Sequence, residues 1–152
     1  MSSKSLVAAA ALAVAALVIV PIAAADQVFH TSHAAVHSVS GAPLRSGFVN
    51  DIHTNGAVNS AHEEYHLNGA QADTTYQVQL LLFNDQSCGG TPFAIAPTAQ
   101  LTTNGQGNGN ADFTFPAGAP NNPPLQVGII WQFLSSTGDP VYATDCVPVS
   151  ID

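Results

Sequence analysis

From Gln27 to the end of this 152-residue chain no stretch carries a helical repeat of apolar residues. Short runs rich in Val, Ile, Phe, Tyr and Thr alternate instead with clusters of Gly, Asn and Pro. β-branched and aromatic side chains suit a pleated, half-buried surface, and Gly, Asn and Pro supply the backbone angles of tight turns. The pattern therefore specifies many short strands joined by turns. Residues 75–84 put Tyr76, Val78, Leu80 and Leu82 on one face, and residues 125–133 do the same with Leu125, Val127, Ile129, Trp131 and Phe133. Weaker strands are expected at 96–103, 110–115 and 141–149, with 104–109 and 118–124 as turns or loops. Asn55-Gly56 has the residue types of a type I′ hairpin turn, which predicts pairing of 48–54 with 57–68. Seven or eight strands at this spacing point to one all-β domain, an antiparallel β-sandwich.

The first 25 residues are set apart from that domain. Lys4 supplies a positive start, residues 6–20 an apolar run and Ala23-Ala24-Ala25 a small-residue exit, the organisation of a cleavable signal peptide. Residues 26–152 then form the single domain, and the expected location is secreted. That domain has one positive side chain, Arg45, against ten Asp and Glu, a formal charge of −9. Nucleic acid is excluded as a partner, and so is a membrane surface once the signal is removed, because both require Lys and Arg to neutralise phosphate. Two cysteines in an exported chain, Cys88 and Cys146, imply a disulfide. Closing so long a loop stabilises a fold by about 4 kcal/mol in the chain-entropy account.

One string in the chain spells a chemistry. His62, Glu63, Glu64, Tyr65 and His66 read H-E-x-x-H, and Gly69 extends the match toward the metzincin signature. On a helix the two histidines share a face and hold one zinc, with the first glutamate polarising a bound water. The surrounding residues oppose that. A helix here would be about ten residues long without a broad apolar stripe, and it would run into the Asn68-Gly69 stop. Ala72 stands where a metzincin needs its third histidine, Met1 is the only methionine, and no glutamate follows Glu64 to complete a thermolysin-like site. As a strand, the segment pairs through Asn55-Gly56 with Asn59 opposite Ile52 and Ala61 opposite Asn50. Phe48, Ile52, Ala57, Ala61, Tyr65 and Leu67 then share one face, and Asp51, His53, Ser60, His62, Glu64 and His66 the other. Glu63 and Tyr65 fall on the core-facing side, where the Glu63 carboxylate must sit at the rim or find a partner.

All six histidines, His30, His33, His37, His53, His62 and His66, lie before residue 67. A sheet face carrying His53, His62, Glu64 and His66 is the candidate metal site, and a divalent ion such as zinc is the one cofactor it would serve. His62 and His66 stand about 13 Å apart along a strand, so Glu64 with one histidine and a residue of a neighbouring strand would have to converge. No residue receives a catalytic role. Glu63 and Glu64 point to opposite faces of a strand, no nucleophile elbow occurs, and bonded cysteines leave no thiol. Trp131 falls on an apolar stripe and belongs to the core.

The runs 67–70 and 74–78, the Cys88-Gly89-Gly90 turn and Leu101-Thr102-Thr103-Asn104 with Gly105, Gly107 and Gly109 resemble small Ig-like β modules of exported bacterial proteins. The resemblance implies an Ig-like sandwich and no chemistry. The expectation is thus a secreted, non-catalytic β-sandwich that binds an extracellular ligand or cell-surface component or serves a structural role. The alternative is an extracellular metal-binding protein using the histidine face.

Overall fold

A computed structural model describes residues 28–55, 59–118 and 123–151. The expected signal peptide, residues 1–25, and the Gly56 position of the expected hairpin turn lie outside the described residues. Those described are all-β and antiparallel, with no helix among them. The strands are β1 (Val28–Ser38), β2 (Ser46–Asn55), β3 (Asn59–Asn68), β4 (Thr75–Phe83), β5 (Ala94–Thr102), β6 (Gly109–Gly118), β7 (Leu125–Leu134), β8 (Pro140–Thr144) and β9 (Val147–Ile151). Each expected run of alternating residues is a strand. The expected run 141–149 is two strands, broken after Thr144. β1, which the sequence left unplaced, lies beside β2.

The strands form one sheet in the order β5-β4-β7-β8-β1-β2-β3-β6, with β9 added to β7. β1 makes it continuous. Its first part, Val28 to Ala35, pairs with β2, and Val36 to Ser38 pair with β8. A sandwich of two separate sheets is therefore replaced by a nearly closed, barrel-like sheet, because one strand serves both halves. At the far side β5 and β6 run next to each other without a ladder between them among the described residues.

The interior is filled from both halves. Ala34, Val36, Val49, Tyr65 and Leu67 come from β1 to β3 and meet Tyr76, Val78, Val127, Trp131 and Phe133 from β4 and β7. Tyr65 and Phe133 cross edge to face, with ring centroids 6.2 Å apart at 89°, the geometry that ring quadrupoles favour. Trp131 is fully buried, as its stripe required, whereas Leu125 at the start of β7 is 42% exposed.

Cys88 and Cys146 are bonded, with Cα atoms 5.8 Å apart. The bridge fastens the β4–β5 loop to the break between β8 and β9. It lies against Gly128 of β7, where a Cβ would stand 2.6 Å from Cys88 Sγ and 2.5 Å from the Asp85 carbonyl oxygen. The Asp85 carboxylate organises this loop by accepting from Ser87 N (2.8 Å), Ser87 Oγ (2.5 Å) and Gly89 N (3.1 Å). Those bonds, led by the Ser87 hydroxyl, hold its pKa below the usual carboxylate value.

The β2–β3 register differs from the sequence expectation by three residues. Ile52 faces His62 and Asn50 faces Glu64, in place of Asn59 and Ala61. An odd shift turns one strand over relative to the other. β3 keeps the expected parity, with Glu63, Tyr65 and Leu67 buried. β2 is inverted: Val49, Asp51 and His53 look inward, and Phe48, Asn50 and Ile52 share the outer face with His62, Glu64 and His66. The physical reason is the connection. β2 runs to Asn55 and β3 starts at Asn59, longer than a two-residue turn allows.

Candidate functional site

The inverted strand carries polar side chains into the barrel. Asp51 and Glu63 are Cα partners on β2 and β3, both inward, at 3% and 2% exposure. Burying a carboxyl group in an apolar interior is costly unless it is hydrogen-bonded, and Glu63 is bonded at both oxygens. Trp131 Nε1 donates to Oε1 at 2.9 Å, and the Tyr65 hydroxyl bonds Oε2. Tyr65 also meets Thr98 Oγ1 at 2.8 Å, and Thr98 donates to the Val78 carbonyl at 3.3 Å. A phenol has a single proton. With Glu63 ionised, Tyr65 donates to it. With Glu63 protonated, the chain runs Glu63 to Tyr65 to Thr98 to Val78, and each group in it donates once.

Glu63 is poised between these two states. Burial lifts its pKa to about 7, the bonds from Tyr65 and Trp131 oppose the rise, and the Asp51 charge adds to it. Tyr65 is pushed well above the ordinary phenol range by its own burial and then by the neighbouring Glu63 charge. Asp51 has His53 as its polar partner, with Nδ1 3.4 Å from Oδ2, and the His53 ring stacks on His30 with centroids 5.5 Å apart.

Asp51, His53 and Glu63 border a cavity of about 240 Å³ at one end of the barrel. Its deep wall is apolar and buried, formed by Leu80, Ile129 and Val149, and its rim is half-buried at Leu82, Phe115 and Ile151. Among the described residues no Lys or Arg lines it. A second recess of about 200 Å³ lies between His30, Thr31 and Ser32 of β1 and Pro148, Val149 and Ser150 of β9. It marks a seam, since β8 covers only the last residues of β1 while β9 pairs with β7. His53 and Val149 border both spaces.

The residues expected to hold metal are divided. His53 is inside the barrel, whereas His62, Glu64 and His66 are on the outer face, each with a different partner. His62 Nδ1 meets Thr114 Oγ1 at 2.9 Å, Glu64 accepts from Asn50 Nδ2 at 3.0 Å, and His66 stacks on Phe48 with centroids 4.4 Å apart. Among the described residues no group of three or more His, Cys, Asp or Glu is placed to hold a metal ion. The H-E-x-x-H string lies on a strand, which puts Glu63 on the face opposite both of its histidines.

Sequence reasoning singled out Glu63 as a carboxylate in need of a partner, and its partners are Trp131 and Tyr65. It did not find the association of Glu63 with Asp51 and His53. The signal available was the alternation of Val49, Asp51 and His53, which reads as a solvated face unless the barrel end is known to be hollow. No protein family, curated protein or solved structure matches this chain.

Proposed function

We propose that this is an exported, non-catalytic binding protein that holds a small, largely apolar molecule in the cavity at the end of the barrel. The observation that carries the reading is the cavity itself: apolar on its deep wall and polar at Asp51, His53 and Glu63. Ligand sites are concave, mostly apolar and fitted with a few polar groups that fix orientation, and this one is somewhat smaller than their usual size range, which suits a small molecule. Export is supported by the charge, apolar run and small-residue exit of the first 25 residues, and by a disulfide suited to an oxidising compartment. The likeness of the central segment to Ig-like modules of exported proteins enters this reading through turn and strand residues alone.

Calorimetric titration with 2-phenylethanol, a molecule with an apolar body and one polar end, tests it. Saturable one-to-one binding is expected, and Ala96→Phe, which fills the cavity from β5, should abolish it while leaving the fold intact. Binding that survives Ala96→Phe, or no binding to the native protein, contradicts the proposal.

A further inference from the structure

We infer that the molecule held in this cavity carries a protonated amine at its polar end, an inference that rests on the cavity being a binding site. Two acids enter an apolar chamber at register-paired positions on adjacent strands, and among the described residues no Lys or Arg lines the chamber with them. Arg45, the one such side chain among the described residues, is exposed just before β2, at the end of that strand remote from Asp51. The Asp51 side chain is 5% exposed, borders the cavity and has as its polar partner among the described residues only His53, at 3.4 Å.

Glu63 is built to accept. Trp131 Nε1 is a donor and never an acceptor, so Oε1 is held as an acceptor whatever the protonation state of the group. Among the described residues that line the cavity, no Lys or Arg balances a second negative charge beside Asp51. The titratable groups facing Glu63 are Asp51 and His53 from β2 and Tyr65 from its own strand. The other strands around the cavity present Leu80, Ala96, Phe115, Trp131 and Val149, none of which titrates. A ligand ammonium beside Asp51 and Glu63 supplies the missing charge and keeps Glu63 ionised, with its proton released to solvent as the amine binds. A neutral ligand supplies no such charge, and an anionic one adds like charge to a buried acid pair.

Three probes of one shape separate these cases: 2-phenylethylamine, 2-phenylethanol and 3-phenylpropanoate. Calorimetry at about pH 8 should show the amine binding at least about tenfold more tightly than the alcohol, and the propanoate not at all. Toward about pH 5.5 the amine should weaken, approaching about tenfold per pH unit once Glu63 is protonated, while the alcohol holds steady. Near neutral pH, buffers of different ionisation heat should report proton release for the amine and none for the alcohol. Because His53 also faces the cavity, the Glu63→Gln variant isolates the carboxyl. It should lose the amine preference and the proton release while keeping the native circular dichroism spectrum, which certifies its fold. Asp51→Asn should weaken amine binding more than alcohol binding, with the native spectrum likewise retained. Equal affinity for amine and alcohol at about pH 8, or tighter binding of the propanoate, overturns the inference and leaves the cavity reading standing. Binding of none of the three overturns both.

Discussion

Glu63 concentrates the chemistry of this protein in one residue. Its folded pKa of about 7 stands above the ordinary 4.5, because burial disfavours the charge. The folded state therefore holds a proton that the unfolded chain has lost between those two values. Stability from this group is full below about pH 4.5 and declines as pH rises through about 7, by an amount of order 3 kcal/mol from the size of the shift. Urea unfolding of the native protein should accordingly give a lower midpoint at about pH 8 than at about pH 5.5. Glu63→Gln should flatten that slope and be more stable than the native protein at the higher pH. An equally steep loss in the variant assigns the slope to other groups. Trp131, the only tryptophan in the chain, donates to Glu63, so its emission should follow the same titration in the native protein and not in the variant. Much of this residue was legible in the sequence, where a carboxylate amid apolar neighbours demanded a partner. The partner was not, because Trp131 lies 68 positions away and is joined to it only by the closing of the barrel.

At the scale of strands, alternation proved reliable wherever one face was uniformly apolar. β4 and β7 bury the residues that their alternation named, apart from the exposed Leu125 and half-buried Leu82 at the cavity end. β2 misled for a physical reason: Phe48 and Ile52 are the larger apolar side chains, yet Val49, Asp51 and His53 point inward. A strand that lines a cavity violates the pattern of a strand that packs a core, and such conflicts gather at functional sites. The three-residue register difference is directly testable, since Asn50 and Glu64 are Cα partners on the outer face. The double variant Asn50→Cys with Glu64→Cys should oxidise to a second disulfide, counted by loss of both free thiols. Asn50→Cys with Ala61→Cys should retain its thiols, because the two residues lie three register steps apart and face opposite sides of the sheet. Bridging in the second pair and not the first would restore the two-residue turn.

For the whole molecule, all-β character followed from short strands punctuated by turns, and the disulfide followed from cysteine count and context. The difference between a sandwich and a nearly closed barrel lay in β1, which changes partner from β2 to β8 after Ala35. Nothing in the local sequence announces that change, since it depends on where β8 arrives from more than 100 residues away. A continuous sheet with strands of unequal length and a split β8–β9 arm leaves one end hollow, and the Cys88–Cys146 bridge fixes that arm to the β4–β5 loop. The other end is packed around Tyr76, Phe133 and Tyr142, whose rings meet edge to face. The central claim is that a ligand resides inside this hollow end, and NMR nuclear Overhauser contacts between 2-phenylethylamine and methyl groups of the protein test it most directly. The account predicts contacts from the phenyl ring to Leu80, Ile129 and Val149. Contacts confined to the outer face at Ile52, or none at a concentration that saturates the titration, would contradict it.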